Sequence, residues 1–287
     1  MIEIIMKFLF WMRYLREKLL SIVKQVINLL GIAKYFDLGF FNSHPVSSTF
    51  DTAAKFDSDF LNSVQPTDRG KMLKLFEKSH SQIRQDLFVL HELNYKKNGF
   101  FVEFGATNGF DLNNTYLLEK DFAWKGILAE PGRVWRNELR KNRPNAMIEE
   151  RLIWKDSNSV LLFNETPMAE FSTIDLLSNR DAHRGHRENG AKYKVETISL
   201  NDMLGLHNAP LIIDYLSIDT EGSEYEILSC LDFEKYSFRV ITCEHNYSKQ
   251  RKLIYRLLTK HGYTRKYEEI SLFDDWYVKV DSQVPNI

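Results

Sequence analysis

The stretch at residues 100–109 constrains the fold of this chain more than any other, because an apolar run with one carboxylate leads directly into a turn with two glycines. Such a run is typical of a central parallel strand, which is apolar on both faces. Gly105 and Gly109 let the backbone approach a bound molecule where a Cβ atom would collide. The sequence therefore predicts a buried strand that ends in a ligand-binding turn.

A second apolar run, at 126–131, ends in the carboxylate of Glu130. A short helical segment at 114–120 separates it from the first run, so that Glu103 and Glu130 are one strand-helix-strand unit apart. In such units an acid at the end of the second strand binds a ribose diol. The pattern predicts a site for a ligand that contains a nucleoside.

The turn itself argues against a dinucleotide. Dinucleotide-binding proteins bind the pyrophosphate at a helix N-terminus with the motif Gly-x-Gly-x-x-Gly. The turn in this chain reads Gly105-Ala-Thr-Asn-Gly109 instead. The acid inside the first strand, Glu103, suits a cationic ligand with an amino group, and S-adenosylmethionine is such a ligand. The alternative interpretation is an ordinary strand-helix-strand unit, because short glycine motifs match often by chance.

Composition limits the class of protein. A chain of 287 residues with 44% hydrophobic residues can form one α/β domain plus an extension. A net charge of −1 gives no general attraction to nucleic acid, which is not an expected partner. With only Cys230 and Cys243, the chain lacks a disulfide framework and suits a reducing compartment, so we expect it in the cytoplasm.

The N-terminal segment 1–36 is apolar and basic, with six lysines and arginines against two glutamates. Charges interrupt each apolar run before the roughly 18 residues that a membrane span needs. Two interpretations stay open: a basic amphipathic helix on the inner face of a membrane, or a helix that packs on its own domain or on a second subunit of a homo-oligomer. We predict an extension with a polar linker, residues 1–66, followed by a catalytic domain, residues 67–287.

Strand and helix patterns alternate through the second domain. A polar cluster at 81–87 precedes the first strand and is predicted to fold over the ligand. An insertion at 172–192 has no hydrophobic period; it is either a loop that covers an anionic substrate or a solvated loop. Its basic residues are Arg180, His183, Arg184, His186 and Arg187. Helices are predicted at 72–93, 133–143 and 249–261, and strands at 146–154, 159–164 and 193–200, with a closing hairpin of 263–270 and 276–280.

Two further apolar runs end in acids. One ends at Asp219, with Glu221 close behind and a helix starting near Ser223, and the other ends in Glu244 and His245. Ligands of open α/β sheets bind outside the carboxyl ends of the strands, so these side chains should face the same crevice as the glycine turn. Clustered carboxylates repel one another, so we expect a cation, a metal or a shared proton among them.

Together these motifs resemble the FkbM family of S-adenosylmethionine-dependent methyltransferases from about Ser81 to Val280. The resemblance is carried by Phe101-Val-Glu-Phe-Gly-Ala-Thr-Asn-Gly109, Asn114-Thr-Tyr116, Trp124-Lys-Gly-Ile-Leu-Ala-Glu-Pro131 and Ile218-Asp-Thr-Glu-Gly-Ser-Glu-Tyr-Glu-Ile-Leu228. The family's usual first acid is Asp, where this chain has Glu103. The resemblance implies a Rossmann-like, seven-stranded, mostly parallel α/β sheet with an antiparallel last strand. It also implies O-methylation of a small-molecule or glycan acceptor, most often a sugar or a polyketide-like natural product.

The predicted site follows from the motifs and the resemblance. The cofactor would be held by Glu103, Gly105, Ala106, Thr107, Asn108, Gly109, Thr115, Glu130, Pro131 and Asp219. Asp219, Glu244 and His245 would either bind Mg²⁺ or Mn²⁺ or supply a histidine base that takes the acceptor's proton. Two alternatives stay open: an NAD(P)-dependent oxidoreductase, and a non-catalytic, membrane-associated adaptor that keeps the fold.

Overall fold

A computed structural model of the chain describes residues 56–179 and 184–280. The predicted amphipathic helix at 1–36 lies outside these ranges, as do Arg180 and His183. The chain divides into two units with the boundary at Pro66. In the first unit, residues 56–63 are helical, with Phe56 and Phe60 buried. This part of the predicted polar linker is therefore a helix and not an irregular loop.

The second unit alternates strands and helices. Its strands are β1 (Phe100–Phe104), β2 (Lys125–Ala129), β3 (Met147–Glu149), β4 (Leu152–Trp154), β5 (Val160–Glu165), β6 (Thr173–Ile174), β7 (Ala191–Ser199), β8 (Ile212–Ile218), β9 (Ser237–Glu244), β10 (Tyr263–Lys266) and β11 (Asp274–Lys279). Its helices are α1 (Pro66–Phe76), α2 (Gln85–Glu92), α3 (Tyr116–Phe122), α4 (Arg136–Asn142), α5 (Arg184–Arg187), α6 (Leu200–Leu206), α7 (Glu224–Ser229) and α8 (Gln250–Lys260).

The main sheet of the described residues has seven strands in the order β10-β11-β9-β8-β1-β2-β3. Strand β1 pairs in parallel with β2 and β8, and β8 pairs in parallel with β9. Strand β11 is antiparallel to both of its neighbours, β9 and β10. The expected sheet with an antiparallel last strand is confirmed, and the carboxyl ends of β1, β2, β8 and β9 lie at one edge.

The two faces of β1 differ. Val102 and Phe104 point into the main core, where they are fully or almost fully buried. Each such side chain contributes roughly 1.5–3 kcal/mol to folding. The other face carries Phe101 and Glu103, and the guanidinium of Arg143 lies 5.3 Å from the centre of the Phe101 ring. The carboxylate inside the predicted apolar strand therefore faces a buried cation.

A second sheet, which we call the small sheet, has the order β4-β7-β5-β6. The prediction of one strand at 146–154 is wrong, because β3 stays in the main sheet and β4 enters the small one. The chain turns between them, where the Glu149 carboxylate accepts hydrogen bonds from the backbone N–H and the guanidinium of Arg151. Trp154 and Phe163 then bury themselves in the small sheet's own core.

The helix expected at 72–93 is divided into α1 and α2. Arg84 has φ 66°, a left-handed conformation that a continuous helix does not allow. The polar residues before it leave the helix and form a bridge to the β1–α3 connection, in which Ser81 pairs with Leu112. None of the described helices is long and apolar enough to cross a membrane.

Candidate functional site

The glycine turn after β1 is shaped by contacts within the chain. Gly105 has φ 72°, and a Cβ atom there would lie 2.0 Å from the backbone oxygen of Asp219. Gly109 has φ 74°, and its Cβ would lie 2.6 Å from Cγ of Arg143. Both positions therefore need glycine for conformation and for space. The turn and the end of β8 are in direct contact, as expected for two sides of one crevice.

The side chain of Asn108 closes the turn from within. Its Oδ1 accepts hydrogen bonds from the backbone N–H groups of Phe110 and Asp111, at 3.0 and 2.9 Å. Ala106 is fully buried, and its backbone N–H donates to Ala129 at 3.4 Å. The predicted cofactor-binding residues Ala106 and Asn108 thus bond within the protein and form the frame of the turn.

Glu130 lies immediately after β2 and is buried. Its Oε2 accepts a hydrogen bond from Thr107 N–H at 2.9 Å, and its Oε1 accepts one from Gly132 N–H at 2.7 Å. Burial raises the pKa of Glu130 to about 7, although these two bonds favour the charged form, and nearby Glu165 raises it further. The structure thus brings Glu130 together with Thr107, two of the residues predicted to bind the cofactor, and Pro131 continues the same loop.

Glu103 is bound within the protein. Its two carboxylate oxygens accept hydrogen bonds from Asn114 N–H at 2.9 Å and from the Thr115 hydroxyl at 2.6 Å. Burial raises its pKa, and the charge of Arg143 acts in the opposite direction. Glu103 and Thr115, both predicted to contact the cofactor, are therefore bonded to each other and fix the start of α3.

Arg143 is a residue whose importance the sequence pattern did not reveal. Its side chain is fully buried beneath the glycine turn, where it forms an ion pair with Glu119 at 2.7 Å. It also donates to the backbone oxygen of Gly109, to Asn113 Oδ1 and to the Thr115 hydroxyl. The only signal in the sequence was its position as the last basic residue before the proline that ends the helix.

The turn after β8 is held by Glu224 at the start of α7. Its Oε1 accepts hydrogen bonds from Thr220 N–H, from the Thr220 hydroxyl and from Gly222 N–H, at 3.0–3.1 Å. Burial and then the nearby Glu244 raise the pKa of Glu224 to about 7. Between these anchors, Glu221 has φ 56° and points its carboxylate into the protein.

Three carboxylates come together at the ends of β8 and β9. Oxygen atoms of Asp219, Glu221 and Glu244 lie within 4.8 Å of one another; we call this group the acidic cluster. Asp219 is half-buried and the other two are buried. The structure therefore joins Asp219 with Glu244 as predicted, and the third member is Glu221.

His245 lies beside the acidic cluster in sequence but is engaged elsewhere. Its Nδ1 accepts a hydrogen bond from Tyr247 N–H at 2.9 Å, which leaves the proton of the neutral ring on Nε2. Burial lowers the pKa of His245 to about 4. The 3.7 Å separation between Nε2 and Asp275 is therefore not an ion pair at neutral pH. This geometry disagrees with the predicted metal ligand and general base, because neither nitrogen offers a lone pair to the cluster.

We expect the His245 ring to stay neutral and in the Nε2–H form from about pH 5.5 to 8. The unfolded chain takes up this proton near pH 6.5 and the folded chain only at about 4, so the ring destabilises the fold as pH falls through that window. Nitrogen-15 NMR of the imidazole tests this. A titration midpoint near pH 6.5 would contradict it and restore His245 as a candidate base.

The basic insertion contributes one buried cation to the crevice. The Arg187 side chain is fully buried, donates to Glu221 Oε2 at 3.0 Å and donates to the backbone oxygen of Phe171 at 2.8 Å. Thr173 adds a hydrogen bond to the backbone oxygen of Glu221 at 2.9 Å. Arg184 and His186 are exposed. Arg187 therefore compensates a carboxylate of the protein, which does not fit the predicted role of binding an anionic substrate.

The polar segment at 81–87 bonds to both sides of the crevice, and its role as a cover over the ligand stays a prediction. Ser81 donates to the backbone oxygen of Asn113 at 3.4 Å. Gln85 donates to Asp274 Oδ2 at 2.9 Å, and Asp274 pairs with Glu244 across β11 and β9. The segment thus spans from the β1 side of the crevice to the β9 side.

Comparison with known proteins adds a family. The sequence model described as "Methyltransferase FkbM domain" matches residues 103–269, more than half of the chain. No curated protein matches this chain.

Two solved structures that match this chain are distantly similar to it. A precorrin-6y C5,15-methyltransferase from Geobacter metallireducens GS-15 is 12% identical, with a TM-score of 0.35 over 63% of this chain and 71% of that one. A TehB-like SAM-dependent methyltransferase from Corynebacterium glutamicum ATCC 13032 is 7% identical, with a TM-score of 0.35 over 75% of this chain and 97% of that one. The strand order of the main sheet, and not these similarities, defines the fold.

Proposed function

The chain belongs to the FkbM methyltransferase domain family, and from this premise we propose that it transfers the methyl group of S-adenosylmethionine to a hydroxyl oxygen of a sugar or glycan. The observation that carries the proposal is the Glu130 carboxylate, buried at the carboxyl end of β2 beside the glycine turn. The proposed steps are binding of the cofactor across the ends of β1 and β2, then placement of the acceptor at the ends of β8 and β9.

The geometry around Glu130 fits a ribose diol. A carboxylate has about four acceptor positions, and the backbone N–H groups of Thr107 and Gly132 use one on each oxygen. One position on each oxygen is left for the two hydroxyls of a ribose. Gly132 keeps this space open, because a Cβ atom there would lie 2.7 Å from Glu130 Oε1.

A buried oxygen suits the amino group of the cofactor's methionine part. Asn114 donates its Nδ2 to the Ser217 hydroxyl at 2.9 Å, whereas its Oδ1 has no hydrogen-bond partner among the described residues. The Ser217 hydroxyl in turn is hydrogen-bonded to Tyr215, which fits this orientation of the Asn114 amide. We propose that Asn114 Oδ1 accepts a hydrogen bond from the ammonium group, while Glu103 acts indirectly by accepting a hydrogen bond from Asn114 N–H.

The acidic cluster supports a neutral acceptor with several hydroxyls. Methyl transfer from a sulfonium requires that the acceptor oxygen be held in line with the methyl carbon and lose its proton. Asp219 is half-buried and stands next to Gly105, so its carboxylate can hold a hydroxyl and receive its proton. Carboxylates would repel a phosphate or another anion, which favours a sugar.

The same cluster fits a hard divalent cation, because carboxylate oxygens are the ligands that Mg²⁺ and Mn²⁺ prefer. We propose that Asp219 and Glu244 would hold such an ion, with Glu221 shared between the ion and Arg187. When bound, the ion would lower the pKa of an acceptor hydroxyl, and this effect would replace the proton transfer to Asp219.

Titration of the purified protein with Mn²⁺ tests this proposal by its electron paramagnetic resonance signal. We expect one bound ion per chain, and at least about 10-fold weaker binding in Asp219→Asn/Glu244→Gln, because two charged ligands are lost. Glu234→Gln, an exposed site away from the crevice, serves as the control and should bind as the wild type does. Equal Mn²⁺ affinity in all three proteins would exclude the acidic cluster as a metal site.

Calorimetric titration with S-adenosylhomocysteine tests the cofactor. We expect binding of this ligand and none of NADH or NADPH. Binding of a nicotinamide cofactor instead would support an oxidoreductase, and binding of neither would support a non-catalytic adaptor.

For residues 1–36 we propose peripheral contact with the inner face of a membrane, which co-sedimentation with anionic vesicles tests.

A further inference from the structure

The loop that follows β2, residues 130–134, rests on the small sheet. The Tyr193 hydroxyl, on β7, accepts a hydrogen bond from Arg133 N–H at 3.0 Å and donates one to Glu165 Oε2 at 2.8 Å. Glu165, at the end of β5, also accepts from Val134 N–H at 3.2 Å. The Arg133 guanidinium lies 3.9 Å from the centre of the Tyr193 ring. Two residues of the small sheet thus bind two consecutive backbone N–H groups of this loop.

We propose that Tyr193 and Glu165 are positioning residues of the cofactor site, which hold the 130–134 loop so that Glu130 presents its carboxylate to the ribose. The inference rests on the proposed function, in which Glu130 binds that ribose. The role proposed for the small sheet is indirect, because both residues act through the loop.

The connection from Tyr193 to Glu130 is short and leaves little freedom. Gly132 N–H donates to Glu130 Oε1 at 2.7 Å, and the next residue is Arg133, whose N–H is bound to Tyr193. The Tyr193 hydroxyl also lies 3.4 Å from the backbone oxygen of Pro131. A shift of Arg133 would therefore move Gly132 and break its bond to Glu130.

Glu165 also acts on Glu130 through its charge. The negative charge of Glu165, on the small sheet, repels a negative charge on Glu130 and so raises the pKa of Glu130. From β3, Glu149 is neutralised by Arg151. Arg133 in the loop stacks on Tyr193, and the glycine turn contributes the N–H of Thr107. Glu165 therefore helps to set the pH above which Glu130 is charged and binds the diol best.

The experiment measures the affinity for S-adenosylhomocysteine from about pH 5.5 to 8.5 in the wild type, Tyr193→Phe and Glu165→Gln. In the wild type we expect affinity to rise with pH through a midpoint near 7, where Glu130 loses its proton. Tyr193→Phe should weaken binding about 3- to 10-fold at every pH, because one hydrogen bond to the loop is lost. Glu165→Gln keeps an oxygen that can accept the same bonds, and it should move the midpoint to lower pH.

Tyr263→Phe is the matched control. Tyr263 lies on β10, at the edge of the main sheet, and its hydroxyl also accepts a hydrogen bond from a backbone N–H, that of Phe238 at 3.1 Å. Its affinity and midpoint should equal those of the wild type. Wild-type affinity at every pH in Tyr193→Phe would overturn the inference that the small sheet positions the loop, and an unmoved midpoint in Glu165→Gln would overturn the charge effect of Glu165. A wild type that binds no S-adenosylhomocysteine would instead overturn the proposed function.

Discussion

Glu130→Ala is expected to lower the affinity for S-adenosylhomocysteine by about 10²–10⁴-fold, because two hydrogen bonds to a charged carboxylate, each worth about 1.5–3 kcal/mol, are lost. Loss of the side chain also releases Thr107 N–H and Gly132 N–H, so the two loops that flank the ribose lose their common anchor. Isothermal titration calorimetry at pH 8 measures the effect.

Thermal unfolding separates this loss of binding from a loss of folding. The folded Glu130 carboxyl holds its proton up to about pH 7, above the ordinary value of 4.5, so it stabilises the fold at low pH and that contribution is lost as pH rises through 7. At pH 8 the buried carboxylate is charged at a cost to the fold, and removing that charge offsets the two lost hydrogen bonds, so Glu130→Ala should keep a melting temperature close to that of the wild type. Glu150→Ala, on the β3–β4 turn, is the control for affinity. Unchanged affinity in Glu130→Ala would refute the ribose contact.

Arg143→Ala is expected to lower the free energy of unfolding by about 3–5 kcal/mol, the usual effect of removing one partner of a buried ion pair. Glu119 would keep a buried charge without its cation, and the backbone oxygen of Gly109 would lose a donor. At about 2–4 °C per kcal/mol, the melting temperature should fall by roughly 6–20 °C. Chemical denaturation and differential scanning calorimetry measure the two quantities.

Arg140→Ala gives a matched control on α4, three residues before Arg143. The Arg140 side chain is 59% exposed, and it pairs with Glu150 at the surface. Surface ion pairs contribute about 0–1 kcal/mol, so this variant should melt within a few degrees of the wild type. Equal melting temperatures for the two variants would show that Arg143 does not stabilise the glycine turn.

Much of the crevice could be predicted because it depends on local patterns. An apolar run that ends in glycines or acids marks the carboxyl end of a buried strand, and such ends meet at one edge of a parallel sheet. Glu130, Asp219 and Glu244 were found in this way. The antiparallel last strand came from the family resemblance.

Other features depend on contacts between distant parts of the chain, which local patterns do not show. Arg143 directly follows α4, whose basic residues are all at least partly exposed, and only the folded chain places it beneath Gly109. The split of 146–154 into β3 and β4 depends on the pairing of β4 with β7, about 45 residues away. His245 follows the same strand-end rule as Glu244, but the bond from Tyr247 N–H turns its ring away.

The buried pair between Arg187 and Glu221 limits how freely the insertion could be exchanged for that of another protein. The pair joins a segment that lies outside the main sheet to the turn that carries two acids of the cluster. A graft without a cation at position 187 would leave Glu221 buried and uncompensated, at a cost of several kcal/mol. Chimeras that aim at a new acceptor would therefore have to transfer Arg187, or change Glu221 with it, so these two positions behave as one unit of design.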